Sequence, residues 1–209
     1  MGAAVAVVLT AATLTACRTN VGVAARVNGE TISESDVTTH LTGKPQSAQL
    51  QQQAKAAGQD LTPARVIVLQ SEIGGLLYRR ALARTGGVPT DAALVASRNE
   101  AVQVLAGNGQ QITDQQLGSQ LSQFGVKRAF TSRFLRTLEL EYALIQRLKL
   151  TQQSELTAAV RKTGSAVSVS PRYGTWDAAK FTIDTASGAG SPAFLKLQQA
   201  SSSAAAPGS

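Results

Sequence analysis

The chain reads as mostly α: a compact helical bundle of about five helices, with short strands near its two ends. Three observations predict this. Apolar residues recur at spacings of three and four from Val66 to Leu77 and again from Phe130 to Leu148. Helix start signals stand at Ser33, Thr62, Thr90 and Thr113. Alternation of strand type is confined to short runs such as 166–170. With 209 residues, 43% hydrophobic and 16% charged, there is material for one domain with a core. A mean hydropathy of -0.02 excludes a polytopic membrane protein.

The elements follow in order. Residues 23–27 (VAARV) run into Asn28-Gly29 and then Glu30-Thr31-Ile32. Asn-Gly between short apolar runs is a strong hairpin signal, because both positions tolerate positive φ. Ser33 with Asp36 three residues later predicts a capped short helix over about 33–42. Residues 43–60 are rich in Gln and Ala without an apolar stripe, and a solvent-facing helix and a loop both fit.

Thr62-Pro63 predicts an N-cap followed by Pro at the first helical position. The helix that follows carries Val66, Leu69, Ile73, Leu76 and Leu77 and ends before Gly86-Gly87. Gly74-Gly75 in its middle predicts either a kink or the close approach of another backbone, since each Gly costs about 1 kcal/mol relative to Ala. Pro89-Thr90-Asp91 starts a third helix to about Leu105, and Gly107-Asn108-Gly109 ends it. Thr113 and Gln116 form a capping box, with Ile112 and Leu117 placed as a hydrophobic staple, and that helix stops near Gly125.

A last long helix is predicted from about Lys127 to Leu150, with continuation to Lys162 allowed. Its stripe is Phe130, Phe134, Leu138, Tyr142, Ile145 and Leu148. Beyond Gly164 the run Ala166-Val167-Ser168-Val169-Ser170 alternates as a half-exposed strand, and Pro171 to Asp177 and Phe181 follow. From Ala186 onward the Ser/Ala/Gly/Pro composition predicts a disordered tail, 186–209.

The first residues predict the compartment. Residues 3–16 (AAVAVVLTAATLTA) carry no charge, and their length suits a signal-peptide apolar region of ~7–15 residues better than a membrane anchor of ~20. They end in Leu14-Thr15-Ala16-Cys17, and hydropathy then falls through Arg18, Thr19 and Asn20. This looks like a bacterial lipobox. Small residues admit the peptidase, and the Cys17 thiol carries diacylglycerol; two acyl chains suffice for stable anchoring where one does not. Met1-Gly2 supplies no positive region, which fits an upstream start or a trimmed chain. The expected organisation is 1–16 signal peptide, 17–22 lipidated Cys17 and linker, 23–185 helical domain, and 186–209 tail, with the protein on the outer face of the cytoplasmic membrane.

Scarcity excludes most site chemistry. There is one Cys, one His (His40), one Trp (Trp176), and no Met beyond Met1. That set makes no internal disulfide, no four-ligand zinc site and no ordinary Ser-His-Asp or Cys-His catalysis. His40 closes the short helix, where a helix dipole favours it. Glu139 and Glu141 lie two apart and face different ways. Gly107-Asn108-Gly109 lacks the residues of a phosphate loop. No catalytic, cofactor-binding or metal-binding residue is expected, and no cofactor.

Charge is concentrated. Of a net +7, residues 126–163 hold eight basic residues (Lys127, Arg128, Arg133, Arg136, Arg147, Lys149, Arg161, Lys162) against Glu139, Glu141 and Glu155. A basic helical stretch attracts anionic lipid, acidic polymer or nucleic acid, and a solvated helix face is the plainer reading. Thirteen Arg against seven Lys with abundant Ala is a composition of high-GC, actinobacterial type.

The order of motifs resembles the N-terminal domain of the SurA and PrsA family of extracytoplasmic chaperones. The resemblance rests on Val27-Asn28-Gly29-Glu30-Thr31-Ile32, on Ser35-Asp36-Val37, on Ala83 to Asp91 (ARTGGVPTD) and on Phe130 to Arg136 (FTSRFLR), and covers roughly 23–163. It implies a SurA N-terminal-like bundle whose apolar surface holds unfolded clients, and a first strand paired with a returning C-terminal strand, for which 167–170 is the candidate. Many members add a parvulin prolyl-isomerase domain of paired His and a Met or Cys. Here nothing between Leu150 and Ala186 is long enough, and one His with no internal Met cannot furnish it.

The expected function is therefore a lipid-anchored extracytoplasmic chaperone-like protein binding unfolded or secreted polypeptides through an apolar helical surface, without isomerase activity. A scaffolding lipoprotein that docks one folded envelope partner is the alternative. An open apolar cleft supports the first and a filled core the second. Phe130, Phe134, Tyr173 and Trp176 are the candidate client or partner surface, although their spacings also suit core packing. Expected partners are unfolded or secreted polypeptides, the membrane through the N-terminal lipid, and anionic lipid or cell-wall polymer through the 126–163 basic helix. Nucleic acid is not among them.

Overall fold

In the computed structural model the described residues are 22–56, 61–96 and 113–185. Cys17 with the expected lipobox, the expected end of the third helix with Gly107-Asn108-Gly109, Ile112 of the expected staple, and the expected tail 186–209 lie outside them. The protein is mostly helical with small antiparallel sheets.

The hairpin forms where Asn28-Gly29 places it. Strand β1 (Val23–Val27) pairs antiparallel with β2 (Glu30–Ser33) across a turn in which Asn28 and Gly29 have φ of 52° and 89°. Ser33 then caps α1 (Glu34–Thr38): its hydroxyl accepts from the Asp36 N–H, and the Asp36 carboxylate accepts from the Ser33 N–H at 2.8 Å. Donation from both the Ser33 hydroxyl and its N–H holds the Asp36 carboxyl below the usual carboxylate range.

The Gln-rich stretch contains a helix, α2 (Ala48–Ala56), that buries one side chain, Leu50. Helix α3 (Ala64–Arg84) follows and is the axis of the fold, with Val66, Ile67, Val68, Leu69, Ile73, Leu77, Ala81 and Leu82 buried. It starts one residue later than Thr62-Pro63 predicts. Pro63 is itself the cap residue, and Thr62 is buried with its carbonyl accepting from the Gln46 amide at 2.7 Å, so Thr62 anchors the incoming loop instead of capping the helix.

The third helix is seen over 91–96. Helix α4 (Asp114–Gln123) opens with the expected box between Thr113 and Gln116. A 3-10 turn (Arg128–Phe130) leads into α5 (Thr131–Leu148). The N-terminal half of α5 meets the middle of α3 and its C-terminal end meets the end of α3: Arg133 pairs with Glu72 at 3.1 Å, the Thr137 hydroxyl donates to the Ser71 carbonyl at 3.2 Å, and Arg147 donates to the Leu82 carbonyl at 3.2 Å. The two helices are parallel neighbours, which the long intervening segment 85–130 allows. Gly74 and Gly75 are where they meet. A Cβ at Gly75 lies 3.1 Å from Thr137 Oγ1, so the glycines serve close approach, to a side chain of α5, within an unbroken helix.

The long last helix does not continue to Lys162. Lys149 turns left-handed at φ 53°, and the Leu150 N–H closes on the Ile145 carbonyl at 3.0 Å. A new helix, α6 (Gln153–Arg161), folds back so that Leu156 and Val160 reach the core beside α3. A straight continuation would leave those side chains in water. The buried face of α5 is also turned from the expected stripe: Phe134, Leu135, Leu140, Ala143 and Leu144 are buried, while Leu138, Ile145 and Leu148 are only partly covered.

Strand β3 (Val167–Val169) returns to β1, pairing Ala25 with Val169, Arg26 with Ser168 and Val27 with Val167. The sheet order is β2-β1-β3, so β3 is an edge. A separate hairpin of β4 (Thr175–Asp177) and β5 (Thr182–Asp184) closes the described chain.

Candidate functional site

A groove of about 910 Å³ lies between the β3 edge, the start of α3 and the second hairpin. One wall is Val167, Ser168 and Val169; the second is Pro63 and Arg65; the third is Tyr173, Trp176, Asp184 and Thr185. Local chemistry positions each part. After β3 the chain makes two tight turns, with the Tyr173 N–H on the Ser170 carbonyl at 2.9 Å and the Gly174 N–H on the Pro171 carbonyl at 3.2 Å. Gly174 has φ 122°, and a Cβ there would fall 2.2 Å from the Asp184 carbonyl oxygen, so only glycine lets β4 leave this turn against β5. The β4–β5 loop is held by Asp177, whose carboxylate accepts from Ala179 and Lys180 N–H groups and pairs with the Lys180 ammonium at 2.8 Å.

Hydrogen bonding along β3 has a definite phase. The Asn28 N–H donates to the Ala166 carbonyl at 2.8 Å, and the Ser170 N–H donates to the Ala24 carbonyl at 2.9 Å. Residues 166, 168 and 170 therefore direct their backbone groups to β1, and Val167 and Val169 direct theirs away from it, into the groove. This is an open strand edge. The Val167 and Val169 side chains pack on the core and Ser168 faces out.

The aromatic wall is partly structural. Tyr173 is 3% exposed, and its hydroxyl donates to Glu34 at 2.8 Å. Burial raises the phenol pKa, and the Glu34 carboxylate raises it further. Arg65 lies over the Tyr173 ring at 5.7 Å, and Arg172 pairs with Glu34 at 3.1 Å. Trp176 is half-buried and meets Phe181 edge to face at 5.7 Å.

Of the four residues expected as a client or partner surface, the fold brings two to the groove and keeps two away. Phe130 is 0% exposed and Phe134 is 7% exposed, both in the core, so they offer no surface; this corrects that expectation. The physical reason is that α4, the 3-10 turn and α5 close around them, with His40 against the Phe130 ring at 4.8 Å. Desolvation, reinforced by the nearby Arg133 charge, lowers the His40 pKa. His40 itself sits in a turn beyond α1, not in the helix. Tyr173 borders the groove as a buried support, and Trp176 is the expected residue that remains available there.

The second hairpin was not apparent from sequence. Its loop, Ala178 to Phe181, has no glycine, and Phe181 takes the left-handed conformation at φ 56°. The signal available was the pair of short β-forming runs Thr175-Trp176 and Thr182-Ile183 flanking Asp177.

The basic stretch 126–163 is not one helix and not one free surface. Arg133 pairs with Glu72, Arg136 with Asp91 and Glu139, and Arg147 donates to the Leu82 and Gly87 carbonyls at the end of α3. The Lys127 ammonium donates to the Thr39 carbonyl at 2.9 Å. Arg128, Lys149, Arg161 and Lys162 stay exposed on the turn before α5 and at the ends of α5 and α6.

Among the described residues no group of His, Cys, Asp and Glu is arranged to hold a metal, and no helix is long and apolar enough to cross a membrane. Comparison with family models, with curated proteins and with solved structures finds no match to this chain.

Proposed function

We propose that this chain is a lipid-anchored extracytoplasmic polypeptide-binding protein of chaperone type, which holds short extended segments of unfolded or secreted polypeptides in the groove beside β3. The observation that carries the reading is the open edge at Val167 and Val169. An extended segment satisfies both the N–H and the C=O of those residues, which no small apolar ligand does. Trp176 supplies apolar contact, and the Arg65 and Asp184 charges flank it. Backbone pairing reads no sequence, which suits a protein that receives many clients.

The binding surface differs from the expected helical concavity, because most of the large apolar side chains of the described helices fill the core. Assignment to the SurA and PrsA N-terminal type is supported by the order of hairpin, capped short helix and long helix, and by the return of β3 to β1. The lipobox-like run ending at Cys17 supports anchoring at the outer face of the cytoplasmic membrane. No isomerase or other catalytic step belongs to this reading, and no cofactor.

The test is suppression of aggregation of an unfolded substrate by the full chain reconstituted in phospholipid vesicles. Suppression is expected with the wild type and is lost in Val167→Pro, which removes an outward N–H at an edge where Pro is tolerated. No suppression at several-fold molar excess overturns the reading. Docking of one folded envelope partner is the second reading, favoured by the filled helical core. Crosslinking at the membrane separates them: a broad range of products supports client holding, and one stoichiometric product supports docking.

A further inference from the structure

We infer that the groove selects extended segments that carry an acidic side chain, with Arg65 taking the carboxylate while the segment's backbone pairs with the edge of β3. This deepens the reading above and rests on the groove being a polypeptide site.

The charges bordering the groove sort into satisfied pairs and one remainder. Glu34 has both oxygens engaged: one pairs with Arg172 at 3.1 Å, and the other accepts from the Tyr173 hydroxyl at 2.8 Å. Asp184 faces the Lys180 ammonium at 3.8 Å, and Asp177 holds the same ammonium at 2.8 Å. Arg65 is different. It is exposed on the groove wall, and among the described residues no carboxylate pairs with it. Its guanidinium lies over the Tyr173 ring, 5.7 Å from the centroid, and a ring contact leaves the fork of N–H donors free for a carboxylate. The first turn of α3, where Arg65 stands, contains no acid that would offset it.

Arg65 is also placed to act on a paired segment. The Tyr173 N–H bonds the Ser170 carbonyl, so the ring under Arg65 follows directly on the C-terminal end of β3. Arg65 therefore stands at the Val169 end of the open edge, within the same groove as Trp176. Pairing with Val167 and Val169 supplies affinity without regard to sequence, and a side chain pocket or charge adds the preference. An acidic side chain at that end completes the one unpaired cation. A lysine at the same place meets uncompensated positive charge and is disfavoured.

Trp176 is the chain's single Trp and lines the groove, so its emission follows binding of a peptide that contains no Trp. The probe is a short peptide of alternating Val and Thr, acetylated and amidated so that its ends carry no charge, with a central Glu, Gln or Lys. The full chain in detergent should bind the Glu peptide roughly fivefold more tightly than the Gln peptide, the scale of one partly exposed ion pair, and the Lys peptide most weakly. The preference should shrink as salt is raised from about 0.05 to about 0.5 M, by screening. Arg65→Gln should abolish the preference and leave affinity for the Gln peptide unchanged, whereas Arg65→Lys should retain most of it. A Gln peptide with a free carboxyl terminus should gain less than the Glu peptide; an equal gain overturns the assignment to an acidic side chain. Equal binding of the Glu and Gln peptides by the wild type, or a preference that survives in Arg65→Gln, overturns the inference and leaves the groove reading standing. Failure of all three capped peptides to bind the wild type overturns both.

Discussion

The Tyr173 hydroxyl donates to the Glu34 carboxylate at 2.8 Å, tying the turn after β3 to the first turn of α1. Arg172 holds the same carboxylate from the solvent side at 3.1 Å. The C-terminal wall of the groove is thereby fixed to the N-terminal hairpin and helix.

Tyr173→Phe should lower unfolding stability by about 1–2 kcal/mol, since it removes a partly buried hydrogen bond to a carboxylate. Arg172→Ala should lower it by less than about 1 kcal/mol, because that pair is half exposed. Urea denaturation checks both, with a shifted midpoint and an unchanged slope as the expected result.

Arg147 and Lys162 should separate structural from surface charge. Arg147→Ala removes the donor to the Leu82 and Gly87 carbonyls at the end of α3 and should cost about 1–2 kcal/mol. Lys162→Ala should change stability by less than about 0.5 kcal/mol. Thermal unfolding of the two variants side by side is the measurement.

The two adjacent glycines of α3 should respond in opposite ways. At Gly74 a Cβ meets Thr137 Cγ2 at 3.4 Å, an ordinary contact, so Gly74→Ala should stabilise by about 0.5–1 kcal/mol through helix propensity. At Gly75 the 3.1 Å approach to Thr137 Oγ1 leaves too little room, and Gly75→Leu should destabilise by about 1–3 kcal/mol by forcing α3 and α5 apart. Calorimetry of the single variants decides it.

Glu141 is half-buried beside the buried Tyr78, and burial pushes its carboxyl up to about 7 from the ordinary 4.5, against the opposing pull of the Tyr78 hydroxyl. A carboxyl raised in the folded state binds its proton more tightly there than in the unfolded chain. Its contribution is complete below pH 4.5 and is lost as pH rises through about 7. The loss is at most about 3 kcal/mol. Glu141→Gln should therefore be more stable than the wild type at pH 8, with the difference shrinking toward pH 5. Denaturation of both proteins across that range tests the sign.

How much of this was legible follows from distance along the chain. The Asn28-Gly29 turn and the boxes at Ser33–Asp36 and Thr113–Gln116 close within three residues, so neighbouring side chains decide them and the sequence displays them. Helix existence in α3, α4 and α5 was legible from periodicity for the same reason. The break at Lys149 was not. No Gly or Pro marks it, and it exists because Leu156 and Val160 gain burial beside α3 when the chain turns back.

By itself the sequence determined a mostly helical chain with strands near its ends, and the turn chemistry and caps. Only the tertiary structure decided that α3 and α5 lie parallel through Gly75 and Thr137, that Phe130 and Phe134 are interior, and that half of the basic residues in 126–163 hold other parts of the chain. The groove is of the second kind. Its walls come from segments more than a hundred residues apart, Pro63 and Arg65 against Val167 to Thr185, and the outward phase of Val167 and Val169 is set by which residues of β3 face β1. Periodicity gives a strand its two faces, but only its neighbour determines which backbone groups are left over.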